Sequence, residues 1–265
     1  MTTIFCATLS KNQGKFLESC LKSIHCQAHL DKHVVYDLAS RDETSKLLTA
    51  YSSKIEIIVR ESDRGPSDGL NTCAELNDSD IFCYLNADDV FAQNAFNFVV
   101  RFFQNNPNVD ILHGSIFLID EKGTRMKLLL SERFTLKRYA LRASIVNQQA
   151  TFVRSRVLPR NPFSLENRIS WDGELIVDLV KAGATIKNVH QVLGYFRTHN
   201  SSITSSRDYK SRIHQHHKII EEKILGREAT RVERSFGFVM SKILALKRKI
   251  MITVVPETYF TKLGK

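Results

Sequence analysis

Strand-like and helix-like segments alternate through the first 120 residues of the chain. Short apolar runs that predict strands are TIFCATLS, KHVVYD, IEIIV, DIFCYL and VDILHGSIFLI. Segments with apolar residues at helical spacing separate them, for example KFLESCLKSIHCQ and AQNAFNFVVRFFQNN. This order predicts βαβ units, an α/β fold with a mostly parallel Rossmann-like sheet covered by helices on both faces. Such sheets bind their ligands beyond the carboxyl ends of the strands.

Composition excludes several other classes of protein. No apolar stretch approaches the roughly 20 residues that span a bilayer, and the opening MTTIFCATLS has no basic region typical of a signal peptide. The five cysteines form no C-x-x-C pair, so we expect reduced thiols in a cytoplasmic protein rather than a disulfide framework or a zinc site.

Charge is divided unevenly along the chain. Residues 1–120 carry 10 Lys and Arg against 16 Asp and Glu, whereas residues 121–265 carry 28 against 12. The acidic half suits a divalent cation, and the basic half suits phosphates, nucleic acid or an anionic membrane.

Polar motifs follow each of the first four predicted strands. They read SKNQG, DLASRDET, RESDRGPSDGLN and NADD. Neither G-x-G-x-x-G nor G-x-x-x-x-G-K-[ST] occurs, which disfavours a dinucleotide fold and a P-loop. Asp88 and Asp89 adjoin at the end of a buried strand, where repulsion between them calls for a positive neighbour. Taken alone, this pair fits a metal site and a helix cap equally well.

Five stretches, in order, resemble motifs of the family-2 glycosyltransferases, which have the GT-A fold. Besides the opening strand and helix, they are VVYDLASRDET, RESDRGPSDGLN, YLNADDVF, and WDGELIVDLVKAG followed by YFRTHNSSIT. The resemblance covers about residues 3–204. It implies a metal-dependent inverting glycosyltransferase of the bacterial surface-polysaccharide type, acting in O-antigen or capsule synthesis. Mn²⁺ or Mg²⁺ would be its cofactor, a nucleotide sugar its donor, and a glycan or polyprenyl-diphosphate-linked oligosaccharide its acceptor.

The resemblance also implies roles for particular residues. Asp172 would be the general base, and Asp88 and Asp89 the metal ligands, with His199 as a further ligand or phosphate donor. The residues expected to bind the donor nucleotide are Ser10, Asp37, Asp63, Asp68, Asn71, Asn86, Ala87 and Arg197. Asn86 stands where many relatives have Asp, which leaves Asp88 as the main ligand. A carboxylate at Asp37 would accept from N3–H of uracil or thymine but not from cytosine, so a UDP-sugar is favoured and a dTDP-sugar stays open.

Structural alternatives remain open at several of these positions. Asp42 and Thr44 are typical of a cap for the following helix, and Asp172 could cap the helix that it begins. Asp68 and Asn71 fit the donor site and turn or helix structure equally well. Gln148 and Gln149 occupy a place that would border the acceptor pocket.

The sequence predicts a catalytic domain of residues 1–204, with a nucleotide-sugar part of about 1–120 and an acceptor part of 121–204. The last 61 residues, 205–265, are predicted to form a basic helical extension that follows this domain. Six apolar residues fall at helical spacing within it, namely Phe236, Val239, Met240, Ile243, Leu246 and Ile250. This pattern equally fits a helix packed on the domain and one lying on an anionic membrane, the latter on the inner face of a bacterial inner membrane.

Two rival functions also fit parts of the sequence. A nucleotidyltransferase of related architecture would need a Gly-rich basic loop after the first strand, and LSKNQGKF has none. A nucleic-acid-binding module would explain the positive charge but not the acidic half, and no aromatic-basic recognition motif occurs. We therefore expect no nucleic-acid partner.

Overall fold

The computed structural model describes residues 2–200, 202 and 208–263, apart from the side chain of Lys210. The predicted domain boundary at residues 204–205 lies outside the described residues. The strands are β1 (Ile4–Ser10), β2 (Leu30–Asp37), β3 (Glu56–Val59), β4 (Ile81–Asn86), β5 (Val90–Phe91), β6 (Ile111–Ile119), β7 (Arg125–Leu129), β8 (Thr151–Arg154) and β9 (Ile186–Arg197). The helices are α1 (Gly14–His25), α2 (Thr44–Tyr51), α3 (Pro66–Ala74), α4 (Ala95–Asn105), α5 (Leu136–Ala140), α6 (Trp171–Lys181), α7 (Tyr209–Leu225), α8 (Arg231–Val254) and α9 (Glu257–Thr261).

One sheet runs through the described residues in the order β3-β2-β1-β4-β8-β6-β9-β5, with β7 pairing to β6. Strands β3, β2, β1 and β4 are parallel, whereas β8 is antiparallel to both of its neighbours. The parallel part brings the carboxyl ends of β1, β2 and β4 to one edge. The predicted α/β fold is thereby confirmed.

Helices cover the two faces of this sheet because each presents one apolar side to it. Helix α1 buries Phe16, Leu17, Cys20, Leu21 and Ile24, which is the spacing recognised in the sequence. Phe96 and Phe103 of α4 pack against Phe152 and other residues on one face, and α6 contributes to a second apolar cluster with Phe82 and Phe163. Strand β4, which lies between these clusters, is buried on both sides and carries the site at its end.

The C-terminal helices contact the rest of the fold. Phe260 of α9 is fully buried beside Phe117 and Val192, and the carbonyl of Leu263 accepts a hydrogen bond from Arg101. Strands β5 and β7 and helix α5 were not predicted from the sequence. None of the helices in the described part of the chain is long and apolar enough to span a membrane.

Candidate active site

Three strand ends form the first wall of the site. Ser10 is the register partner of Asp37, and Leu9 is the partner of Asn86. Asp37 is buried, and its carboxylate accepts hydrogen bonds from the Ser40 backbone N–H at 2.9 Å and hydroxyl at 2.6 Å. The predicted donor residues Ser10, Asp37 and Asn86 are thus brought together at one edge of the sheet.

The loops after β1 and β2 are joined by hydrogen bonds. Ser40 Oγ accepts from the backbone N–H of Asn12, and Asn12 Oδ1 accepts from that of Arg41. The Asp42 carboxylate accepts from the N–H groups of Gly14 and Thr44, the first residues of α1 and α2. Asp42 therefore serves the helix ends rather than the open site.

Three of the predicted donor residues lie in the loop and helix that follow β3. Asp63 is half-buried, and it accepts from the Gly65 N–H at 2.9 Å. Asp68 pairs with Arg64 at 2.8 Å, which lowers its pKa. The buried Asn71 amide exchanges two hydrogen bonds with the backbone of Phe163. Asp68 and Asn71 thus have structural partners. Asp63 and Asp68 both lie near Tyr36, the residue before Asp37, because burial first and then both carboxylates raise the pKa of Tyr36 to about 12.

Asp88 and His199 meet at the turn after β4. The Ala87 N–H donates to the carbonyl of Leu9, which fixes the start of that turn. Asp88 Oδ2 lies 2.9 Å from His199 Nε2, and the His199 ring packs on Phe16 with a centroid separation of 4.7 Å. Two residues 111 apart in sequence are thus placed side by side.

Asp89 has a different environment from Asp88. It is fully buried, its Oδ1 accepts from the Arg197 N–H at 2.8 Å, and its Oδ2 accepts from Gln149 Nε2 at 2.8 Å. Burial, followed by the neighbouring Asp88 charge, raises the pKa of Asp89 well above its ordinary value. Asp89 therefore joins the β4 turn to the end of β9 instead of turning its oxygens toward Asp88.

Arg197 is also buried, and its guanidinium is directed into the protein. It donates to the carbonyls of Asp88, Asp120 and Glu121 and to Ser19 Oγ, at distances from 2.8 to 3.3 Å. Its carbon Cζ lies 5.1 Å from the centre of the Phe16 ring. The side chain holds together the turns that surround Asp88, and the structure does not direct it outward as a fork for phosphate.

The Asp88–His199 pair fits part of a metal coordination shell. Two neighbouring ligands at right angles in an octahedral shell of about 2.1 Å radius lie roughly 3 Å apart, close to the 2.9 Å between Oδ2 and Nε2. Within the described ranges, no group of three or more His, Cys, Asp or Glu side chains is arranged to hold a metal ion. Any ion at this pair would take its other ligands from phosphate oxygens or water.

Asp172 lies in the first turn of α6, one residue after Trp171, at which the helix begins. Burial raises the pKa of its carboxyl group above the ordinary value. Tyr84, Tyr139 and Tyr209 surround it closely enough for its charge to help raise the pKa of each phenol, after burial itself. A carboxylate with a raised pKa in partly apolar surroundings is the environment that suits a general base.

A small cavity of about 20 Å³ adjoins Asp172, enough for roughly one water molecule. Its lining includes Tyr84 and Gln148. The Tyr84 hydroxyl, Gln148 Oε1 and Trp171 Nε1 are buried and have no hydrogen-bond partner among the described residues. Tyr84 and Gln148 thus lie beside Asp172, with the Tyr84 hydroxyl and Gln148 Oε1 closed off from the cavity. Sequence reasoning missed Tyr84 because it stands inside an apolar strand, and no local pattern distinguishes it from core.

Comparison with protein families gives one decisive match. Residues 7–158, more than half of the chain, match the model of glycosyl transferase family 2. The chain belongs to this family. A curated relative, the uncharacterized glycosyltransferase MJ1057 of Methanocaldococcus jannaschii, is 19% identical over 227 residues, which are 83% of this chain and 78% of the relative. The protein is therefore a glycosyltransferase, as the sequence motifs predicted, and the nucleotidyltransferase and nucleic-acid-binding alternatives are set aside.

Solved structures show the same fold at low sequence identity. S. aureus TarS 1-349 in complex with UDP-GlcNAc superposes with a TM-score of 0.66 at 16% identity, covering 91% of this chain and 70% of TarS 1-349. In a longer TarS structure the matched part is 46% of that chain. The mannosyltransferase PcManGT from Pyrobaculum calidifontis, in complex with GDP-Man and Mn²⁺, gives 0.62 at 14% identity, covering 96% of this family-2 chain and 76% of PcManGT.

Proposed function

We propose that this glycosyltransferase moves a sugar from a UDP-sugar to an acceptor hydroxyl, with inversion at the anomeric carbon and with Mn²⁺ or Mg²⁺ bound. The observation that carries the proposal is the 2.9 Å contact between Asp88 and His199 at the carboxyl end of β4. It brings a carboxylate and an imidazole, two groups that commonly bind divalent metals in proteins, together at the edge where parallel sheets bind ligands. Two of the similar structures were solved with Mn²⁺, one of them with GDP-Man and the other with UDP.

The nucleoside would lie against the ends of β1 and β2. Ser40 fixes the Asp37 carboxylate through two hydrogen bonds, and a carboxylate has about four lone-pair sites. Acceptor capacity therefore remains for N3–H of uracil. Ser10 is the register partner of Asp37, and Asn86 lies on the strand beyond it, beside Leu9. The Asn86 amide suits the ribose hydroxyls. Asp63 lies beside the same edge, at the start of the next loop.

The diphosphate would lie over the turn of residues 86–88. A bound divalent ion would neutralise the charge that develops on the departing diphosphate, and Asp88 and His199 are the side chains that would hold it. Asp89 and Arg197 hold the Asp88 turn in place, because Asp89 accepts from the Arg197 N–H and Arg197 donates to the Asp88 carbonyl. This division of work replaces the direct metal contact expected of Asp89 and the direct phosphate contact expected of Arg197.

The transfer itself would be a single displacement. Asp172 accepts the proton of the acceptor hydroxyl while the oxygen forms a bond to the anomeric carbon. The bond from that carbon to the diphosphate oxygen breaks, and its electron pair leaves with the diphosphate. Burial raises the pKa of Asp172, which makes its carboxylate a stronger base for that proton.

The acceptor would be a glycan or a polyprenyl-diphosphate-linked oligosaccharide at the inner face of a bacterial inner membrane, as in surface-polysaccharide synthesis. The strongly basic second half of the chain supports such a partner, since 28 Lys and Arg against 12 Asp and Glu favour an anionic lipid or diphosphate. TarS, with UDP-GlcNAc bound in its crystal structure, supports a UDP-sugar as the donor.

Calorimetric titration of UDP-sugars with and without Mn²⁺ tests the proposal. UDP-sugar binding should strengthen on addition of Mn²⁺, and Asp88→Ala should remove that increment. Asp78→Ala is the matched control, because Asp78 precedes β4 and so lies at the opposite end of the strand from Asp88. Tight binding that ignores both Mn²⁺ and the Asp88 substitution would refute the metal-assisted mechanism.

A further inference from the structure

Helix α8 packs on the protein with one side only. Gly237 lies so close to the backbone of Leu141 that a Cβ there would be 2.4 Å from the Leu141 carbonyl oxygen. Leu244 is buried on the same side, two helical turns after Gly237. Arg248, one turn later, forms an ion pair with Glu132 at 2.8 Å. This side, at spacings of seven and four residues, fixes the rotation of the helix.

The opposite side is apolar and exposed. Eight large residues there are between 54% and 78% exposed, namely Val232, Phe236, Phe238, Val239, Ile243, Leu246, Ile250 and Val254. We call them the α8 face. At about 100° per residue they cover roughly 160° of the helix surface, so the face is broader than the narrow seam of a two-stranded coiled coil. An apolar surface of this size marks an interaction site.

The charges beside the α8 face are positive. Lys242, Lys247 and Lys249 are exposed and form no ion pair within the described residues. The Lys242 ammonium lies 5.1 Å from the centre of the Phe238 ring, so its stem runs along the face. The one acidic residue of α8, Glu233, pairs with Arg227 at the helix start. The lysines are thus placed for a negatively charged partner.

These charges distinguish between two candidate partners for the α8 face, a second copy of the chain and a membrane surface. A second copy of the chain would place lysine against lysine on both sides of the contact, and such like-charge contacts are costly. An anionic phospholipid surface offers apolar chains to the face and negative headgroups to the lysines. The breadth of the face also fits a planar partner better than another helix.

We propose that α8 lies flat in the interface of an anionic phospholipid bilayer, with the α8 face in the apolar layer and the three lysines among the headgroups. A helix of 24 residues would lie along the surface for about 36 Å. Contacts connect it to the catalytic residues, because Leu141 follows α5 and the Tyr139 hydroxyl of α5 lies against Gly173, next to Asp172. If the proposed function holds, this docking would keep Asp172, the general base, near an acceptor in the membrane.

Sedimentation of the full chain with phosphatidylcholine vesicles, with and without phosphatidylglycerol, tests the docking. We expect binding to the anionic vesicles that weakens as salt is raised, and little binding to the neutral ones. Replacing Lys242, Lys247 and Lys249 with Gln should weaken binding roughly a hundredfold. The matched control replaces Lys46, Lys54 and Lys218, which are exposed on other elements.

A second arm replaces Ile243, Leu246 and Ile250 with Ser and is expected to weaken binding at least tenfold. Ile219→Ser, at a similarly exposed position of α7, is its control. Equal binding by test and control variants, or no binding to anionic vesicles, would overturn the proposal. So would a dimer in analytical ultracentrifugation that the Ile243 triple variant abolishes. Because no sugar transfer is measured, failure here leaves the proposed reaction standing.

Discussion

Replacing Asp89 with Asn tests whether this carboxylate is a structural tie or a metal ligand. The two oxygens of Asp89 accept from the Arg197 N–H and the Gln149 amide, both at 2.8 Å, and the side chain is fully buried. Asn keeps the shape but offers one acceptor, so its NH₂ group must face one of the two donors. A buried donor left without an acceptor costs about 1–3 kcal/mol.

The expected result is therefore a Tm lower by roughly 2–12 °C, at about 2–4 °C per kcal/mol for a chain of this size. Differential scanning calorimetry measures it, and calorimetric titration of UDP with Mn²⁺ measures the effect on the site. Tm and the affinity for UDP with Mn²⁺ should both fall, because Asn cannot keep both of the hydrogen bonds that tie the β4 turn to Arg197 and Gln149. Asp89→Ala should lose more, since both donors are then left unpaired.

Asp120→Asn is a suitable control. Asp120 accepts from the backbone N–H groups of Lys122 and Thr124 through the single oxygen Oδ1, in an exposed turn, so Asn can keep both bonds. A smaller loss of Tm is expected there. If Asp89→Asn weakened Mn²⁺ binding while Tm stayed within 1 °C of the parent, Asp89 would be a ligand and the structural reasoning would be refuted.

Two further predictions follow from the geometry. Asp172→Asn should lower kcat by a factor of about 10²–10⁴, with UDP binding unchanged. In the parent protein, kcat/KM should fall as the pH drops through a pKa above the ordinary 3.8, because the base must be ionised. A pH profile without that fall would contradict the role of Asp172. Gly237→Ala should lower the urea concentration at the midpoint of unfolding. A Cβ 2.4 Å from the Leu141 carbonyl oxygen would force α8 outward, at a cost of about 1–3 kcal/mol. A variant at least as stable as the parent would disprove the close approach.

The elements that the sequence predicted are those with strong local patterns. Strand β4 is a continuous apolar run, and α1 has its buried residues at helical spacing, so both could be placed without a structure. Strand β7 has three exposed residues in five, and α5 has five residues in all. Such segments are held by their neighbours, so their own residues predict little.

The sequence predicted residues that the structure brings together, but not the hydrogen bonds between them. Asp88, Asp89 and Arg197 were all identified from motifs that follow strands. Local sequence shows that such residues are polar, but it does not show that Asp89 accepts from a residue 108 positions away. The same holds for α8, where helical spacing predicted the helix, whereas the contact of Gly237 with Leu141 decided which side faces outward.

The hydrogen bonds that join the loops after β1 and β2 have an evolutionary consequence. Asn12, Ser40 and Asp42 each accept from, or donate to, the opposite loop, so neither loop keeps its shape without the other. A change of preferred base would then require coordinated substitutions in both loops, because a single replacement would misalign its partner before it created a new contact. Descendants of this chain that use another nucleotide should therefore differ in the two loops together.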